Sequence, residues 1–559
     1  MNLPEPKNLP YKTLLADIEK GLIKIPQFQR EYVWSLERAA NLIDSILKGY
    51  PIGTFITWKT KETLRVVKDL GNVSLPPVPD GDFAEYVLDG QQRLTSLFCA
   101  LKGLTIKRGS KQDDFSKIYI NLKATYEEQI VTIDISNLEE KSFISLTDLI
   151  NASFITLSSY DPKFHTRLAE YQQTILGYNF SLIEVKEASI DVATEIFTRI
   201  NVGGKPLSLF EIMVAKTYDS TQKFDLSEKY ENLIKSLKKV EYDTISDATV
   251  LQIVSLLLSK ECSRKHILHL NKNDFIAIWD KVVIAIEAAV DYFRSYYRIP
   301  VSKLLPYNSL LAPFAYFFYY HKDKPLEQKQ KLLEDFFWRV SLGGRYSSAV
   351  ESKLAQDIKK IDHILNEKLP VYDWSIDTSP EFIRKNGNFN AGRSYIKALL
   401  CILAYQRPVS FIDGAIVHIS NNWLQRANSK NYHHFFPKAY LNKLNIFENQ
   451  SNHIANITIV DDFLNKRKIG AKAPSEYMTT FQKQNSSLDD HMQTHLIHLN
   501  ESGIFENDYE LFITRRCNIF SQEISKRLLL TDNDTLDSQP LSIDEMDPEI
   551  ENGGYVFTD

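Results

Sequence analysis

The residues best suited to chemistry lie near the C-terminus, in YHHFFPKAYL (432–441) and NHIANITIVDDFLNKRKIGAKAPSEY (452–477). His433 and His434 stand side by side at the end of an extended segment. Asn456 opens a strand-like NITIV, and Asn465 follows on a short helical pattern, DDFLNKRK. Hydrolysis of a phosphodiester needs a base for water, a cation against the charge that builds on phosphorus and the leaving oxygen, and a positioned backbone. A neutral imidazole is a base at near-neutral pH. Imidazole and amide-oxygen ligands together suit Mg²⁺ or Mn²⁺. A strand–loop–strand–helix of this size can gather His433, His434 and Asn465 around one ion. Lys466, Arg467, Lys468 and Lys472 lie beside it. Residues 425–480 hold eight basic against four acidic side chains, enough for a patch that binds the phosphates of double-stranded DNA.

The order His434–x–x–Pro437, Asn456, Asn465 resembles the HNH (His-Me finger) nuclease motif. More closely, HHFFPKAYL with NITIVDDFLNKRK resembles the C-terminal nuclease domain of GmrSD-type, modification-dependent (type IV) restriction enzymes. The resemblance implies that His434 is the general base, that His433 and Asn465 bind the metal, and that Asn456 holds the catalytic loop. One position departs from the pattern. Many such motifs carry Asp or Glu immediately before the base, where this chain has His433; a neutral ligand binds Mg²⁺ less strongly and leaves the choice between Mg²⁺ and Mn²⁺ open.

A second constellation sits at VLDGQQRLTSL (87–97). It reads as a strand, a tight turn at Gly90 and a helix whose first N–H groups form an anion site. Arg93 can grip a phosphate with two parallel bonds, and Asp89 can order a water. The P-loop pattern is absent, and on spacing alone an ordinary strand–helix turn fits equally well. The segments IPQFQREYVW, VLDGQQRLTSL and IFTRINVGGKPLSLFEI stand in the order of the GmrS-like N-terminal domain, which is related to the ParB/sulfiredoxin fold. That resemblance implies NTP binding and hydrolysis by Asp89, Gly90, Gln91, Gln92 and Arg93. Gln29, Arg30, Arg199 and Asn201 would line the same cleft.

Other groups compete for attention. His491 and His495 have the i, i+4 spacing of one helical face, with His498 nearby, but HExxH is absent and Leu496 and Leu499 point to packing. Arg339 and Arg345 in FWRVSLGGRYSS can meet phosphate, or belong to an amphipathic helix. Tyr32 and Trp34 can stack on a base but suit a core better.

The elements that must position these residues follow from periodicity. GTFITWK and EYVLD read as strands, as does part of KIPQFQREYVW. Residues 35–48, the stretch after Gly90, and 190–200 read as helices, and Ser208 with Glu211 has the capping-box pattern. Composition marks 76–82 and 108–114 as surface loops. Residues 249–259, 275–293, 310–320 and 329–342 carry apolar side chains at helical spacing. Periodicity and the resemblances together imply an α+β, multidomain organisation: by resemblance a ParB/sulfiredoxin-like α/β domain over 1–225, then a helical connector over 226–375, and a mainly helical domain over 376–530 that by resemblance contains a ββα-metal HNH finger. An acidic, disordered tail is expected over 531–559.

Bulk properties agree with an enzyme acting on DNA. At 559 residues the chain is too long for one core and suggests roughly two to four domains. Its net charge of −5 is uneven. Residues 531–559 hold nine acids and no Lys or Arg; without them, 66 basic face 62 acidic residues, so the body is slightly basic. The tail is then either a solvated end or a mimic of DNA competing for the groove. No apolar run is long enough to span a membrane, no secretory signal opens the chain, and four scattered cysteines suggest neither disulfides nor a Cys-rich zinc site. A cytoplasmic location is expected. The function expected is an NTP-regulated, metal-dependent endonuclease that restricts phage DNA carrying modifications, with a homodimer admissible. The alternatives are an NTPase toxin acting in abortive infection and a DNA sensor that does not cut.

Overall fold

The computed structural model describes residues 4–26, 29, 32–61, 64, 69–70, 73–78, 81–108, 111–200, 207–219, 221–421, 432–460, 469–529 and 534. The chain is α+β and divides into two compact units, Met1–Leu226 and Ser227–Asp559. Among the described residues no helix is long and apolar enough to cross a membrane.

The first unit is built on a mixed sheet of β1 (Glu5–Pro10), β2 (Ile23–Lys24), β3 (Phe55–Thr60), β4 (Ala84–Asp89) and β5 (Asn179–Lys186), in the order β1-β5-β3-β4-β2. β5 and β3 run parallel, and β3 and β4 antiparallel. One face carries Phe55, Val87, Phe180 and Leu182 into a core shared with the helices Tyr11–Glu19, Leu36–Leu47, Gln91–Lys102 and Pro162–Leu176. The opposite face carries Trp58 and Tyr86, in ring contact at 5.8 Å. The strand alternation demands this division, since successive side chains leave opposite faces. Between Ile56 and Thr57 the ladder slips, so that Ile56 faces Asp89 and Thr57 faces Val87. This bulge bends the strand where the Asp89–Gly90 turn must form.

The helices expected over 35–48 and after Gly90 form as Leu36–Leu47, capped by the Ser35 side chain, and Gln91–Lys102. Ser208 and Glu211 make both bonds of the capping box that starts Leu209–Thr217. The loop expected over 108–114 is wrong in part: Lys111–Asp114 is a strand paired with Thr105–Arg108. The ribbon turns Ile106 into the core, with the buried Asp113 opposite it, while Gln112 is exposed.

In the second unit, long helices surround aromatic side chains. Tyr297 stacks on Phe337 at 4.1 Å, with Phe314 and Trp338 around them. The helix Ser394–Tyr405 packs on Glu327–Leu342, and Pro380–Asn386 packs on Tyr509–Ser525, so the helical middle and the C-terminal segments share one body. Arg339 and Arg345 are buried. Arg339 donates to Asp335 and, with both terminal nitrogens at 2.7 Å, to Asp534. Arg345 is held by Asp357 and Gln356. Neither reaches solvent to meet DNA, which corrects the phosphate reading of both. Asp534 is itself docked; the rest of the expected disordered tail lies outside the described residues.

Candidate active site

Two short strands, β6 (Tyr432–His434) and β7 (Ile457–Ile459), pair antiparallel, with His433 opposite Thr458 and His434 opposite Ile457. The loop joining them is fixed from its centre by Asn456, which is fully buried. Its Oδ1 accepts from the Phe436 N–H at 2.8 Å, and its Nδ2 donates to the carbonyls of Phe436 and Ser451, each at 3.0 Å. Asn456 therefore holds both ends of the excursion between the strands. From outside the loop, Tyr477 donates to the Phe435 carbonyl at 2.5 Å, and the buried Arg516 donates to the carbonyls of Ala455 and Ile457. Burial pushes the Arg516 guanidinium down to about 9, still charged at neutral pH.

The two histidines have different surroundings. His433 is 2% exposed and lies against Phe411 and Phe435. Its Nδ1 lies 2.9 Å from the Thr458 hydroxyl, which in turn reaches the His433 carbonyl. Its Nε2 is buried with no hydrogen-bond partner. Burial, with the imidazoles of His434 and His495 nearby, pushes His433 down to about 3, so the ring stays neutral. His434 is half-buried and lies 3.0 Å from Asn452 Oδ1 through its Nε2. Asn452 also donates to the Phe389 carbonyl.

A buried, neutral imidazole with one nitrogen bonded to a hydroxyl and the other unpartnered has the chemistry of a metal ligand. His433 fits that role. Asn465, the other expected ligand, and Lys466, Arg467 and Lys468 lie outside the described residues. Among the described residues no three His, Cys, Asp or Glu side chains gather where they could hold a metal. Lys472 is exposed just after the Ile469 turn.

The rival histidine cluster does not share a helical face. The helix Leu488–Gln493 ends before His495, and Leu496 adopts a left-handed φ of 57°. His495 bonds the Val409 carbonyl at 2.7 Å, while His491 faces Asn485.

In the first unit, β4 ends at Asp89, and Gly90 turns into Gln91–Lys102 with a φ of 91°. A Cβ there would lie 2.5 Å from the Phe55 ring, so only glycine fits. The Arg93 guanidinium donates to the carbonyls of Ile52 (2.8 Å) and Thr54 (3.1 Å) and to Asp89 (3.1 Å). Gln29 donates to the carbonyls of Val87 and Leu88, and Gln92 accepts from the Val33 N–H. Gln91 is buried next to Gln92. Gln29 and the five residues Asp89, Gly90, Gln91, Gln92 and Arg93 thus meet at one strand–helix junction. Arg199 is exposed, and its partner is Glu195 on its own helix. Arg30 and Asn201 lie outside the described residues. Tyr32 and Trp34 pack against the core, with the Tyr32 hydroxyl on Ser96.

Residues 11–218 match the family model described as the GmrSD restriction endonuclease, N-terminal domain. Over that span the N-terminal unit is similar to the N-terminal domain of GmrSD restriction endonucleases. The matched span includes Gln29, the DGQQR turn, Arg199 and Asn201, so the GmrSD domain and the first compact unit nearly coincide. A further relative, an uncharacterized protein of Methanocaldococcus jannaschii, is 27% identical over 530 residues, covering 84% of this chain and 86% of that one. That likeness runs past the GmrSD domain into the second unit.

Sequence reasoning missed Asn452, Thr458, Phe389 and Arg516 at the hairpin. Thr458 had a signal, since it lies opposite His433 once the strands are paired. The others act through amide, carbonyl or guanidinium groups that no hydrophobic period marks.

Proposed function

We propose that the chain is an HNH-type, metal-dependent DNA endonuclease whose GmrSD domain responds to a nucleoside triphosphate, and that it restricts phage DNA carrying modifications. The observation that carries the reading is the antiparallel hairpin ending in His434, its loop tied in both directions by Asn456. In this reading His434 takes a proton from water. The resulting hydroxide forms a bond to phosphorus, one P–O ester bond breaks, and the leaving alkoxide takes a proton from solvent. A divalent ion, Mg²⁺ or Mn²⁺, held by His433 and Asn465, would supply positive charge at the leaving oxygen. Lys466, Arg467, Lys468 and Lys472 would hold the flanking backbone of double-stranded DNA.

The GmrSD domain's part is a conformational one. Arg93 is engaged with the 52–54 loop and Asp89, so a triphosphate competing for that guanidinium would release the loop. A nucleotide shifts such an equilibrium only through unequal affinity for the two states. A ParB/sulfiredoxin-like relation of this domain and a cytoplasmic location belong to the same reading.

The test is His434→Ala in the full chain, with nicking of plain and modified phage DNA and NTP turnover measured together, with Mn²⁺ and after chelation. The reading expects nicking to be lost and turnover kept in the variant, and nicking by the wild type to stop on chelation. Undiminished nicking by the variant rejects it.

A further inference from the structure

We infer that Asn452 is a positioning residue that decides which ring nitrogen of His434 carries the proton. The catalytic consequence rests on the nuclease reading above; the tautomer rests on geometry alone. Asn452 sits between two acceptor-capable atoms. On one side its amide nitrogen lies 3.0 Å from the Phe389 carbonyl oxygen, and on the other its Oδ1 lies 3.0 Å from His434 Nε2.

A carbonyl oxygen only accepts, so the Asn452 nitrogen must face Phe389; the reversed amide would set two oxygens against each other. The amide oxygen then faces the ring, and an amide oxygen also only accepts. His434 Nε2 must therefore hold a proton and donate it. In the neutral ring this leaves the lone pair on Nδ1, which is the nitrogen that accepts a proton in catalysis.

The arrangement is held against rotation by the backbone. The Phe389 N–H donates to the Asn452 carbonyl at 2.8 Å, and the Ile454 N–H to the Gly387 carbonyl at 2.8 Å. Asn388 bridges His453 in antiparallel fashion, and the Phe389 ring meets Tyr432 at 4.8 Å. Residues 387–389 thus form a third strand-like segment beside the hairpin. Gly387 is required there, because a Cβ would lie 2.2 Å from His453 Nε2. The 387–389 segment, more than sixty residues upstream of Asn452, becomes the outer support of the base.

The test uses the full chain labelled with ¹⁵N-histidine, with the His434 signals assigned against His434→Gln. The wild type is expected to show His434 protonated at Nε2, and Asn452→Leu to lose that preference. A wild-type ring protonated at Nδ1, or an Asn452→Leu spectrum unchanged at His434, overturns the inference. In parallel, Asn452→Leu is expected to lower the kcat for nicking about 10- to 100-fold with KM nearly unchanged. Asn452→Asp keeps an acceptor for His434 but sets a carboxylate oxygen against the Phe389 carbonyl, so it is expected to recover only part of the loss. Full kcat in Asn452→Leu counts against the positioning role. If His434→Ala loses nicking while Asn452→Leu keeps it, only the positioning role fails; if His434→Ala nicks like wild type, the nuclease reading fails, and the tautomer is still decided by the spectra.

Discussion

Asn456 and Phe436 are joined twice, in opposite senses: the Phe436 N–H donates to the Asn456 side chain, and that side chain donates back to the Phe436 carbonyl. No other residue type of this size both donates and accepts in this way. Asn456→Asp keeps the acceptor but takes the Nδ2 donor away from the Phe436 and Ser451 carbonyls in a dry site. The expected cost is about 2–4 kcal/mol in the second unit. Urea unfolding checks it; a midpoint equal to the wild type would show that the loop is held by other means.

Acid should loosen the same unit before it protonates most carboxylates. Burial pushes His433 down to about 3, and His453 and His495 down to about 4, against an ordinary value near 6.5. Their folded values lie below the unfolded one, so the unfolded chain binds more protons between about pH 6.5 and 4. The stability of keeping these rings neutral is fully present above that window and is lost as pH falls through it. The urea midpoint is expected to be flat above about pH 7 and to decline from pH 6.5 towards 4. A flat midpoint across that range would mean that the rings are solvated.

The GmrSD domain's turn tolerates little change. Gly90→Ala must adopt a φ near 91° with its methyl against Phe55. The expected destabilisation of the first unit is about 1–3 kcal/mol, with earlier proteolytic cutting near the 52–54 loop. Gly53→Ala disturbs the same place from the other side, since its Cβ would lie 2.2 Å from Arg93 Nη1. Normal melting of both variants would show that the loop and Arg93 move independently.

The Asp534–Arg339 pair closes a buried network. Asp534→Ala leaves the buried Arg339 guanidinium with Asp335 and the Leu529 carbonyl. Removing one partner of a buried pair costs about 3 kcal/mol, and Asp335 offsets some of that. A fall in melting temperature of the full chain is expected for Asp534→Ala and a smaller one for Asp534→Asn. No fall in either would place Asp534 outside the fold's stabilising contacts.

What the sequence made legible was local. Leu36–Leu47 and Leu209–Thr217 follow from periodicity and from caps at Ser35 and Ser208, because each signal lies within a few residues of its consequence. The hairpin strands could be read from His433, His434 and NITIV. The pairing of 387–389 with 452–454 was hidden, because it joins two three-residue segments more than sixty positions apart, each too short to show an alternation. Arg516 was hidden for the same reason. The shared face expected for His491 and His495 failed because the backbone leaves the helix at Gln493, and a spacing of four has meaning only while the helix lasts. Lys111–Asp114 was missed because it has no apolar side chain of its own; the buried face of the ribbon comes from Ile106 on the other strand.

The strand-like segment at Gly387–Phe389 also sets a limit on cutting the gene into pieces. An excised fragment that starts just before Tyr432 would keep every motif residue of the hairpin and still lose the backbone rail that Asn452 and Ile454 lean on. Such a fragment would present the right letters on a slack frame, and an inactive result from it would say nothing about the intact chain. A usable expression boundary must lie upstream of Gly387, and the packing of Ser394–Tyr405 on Glu327–Leu342 moves it further back, to the start of the helical body.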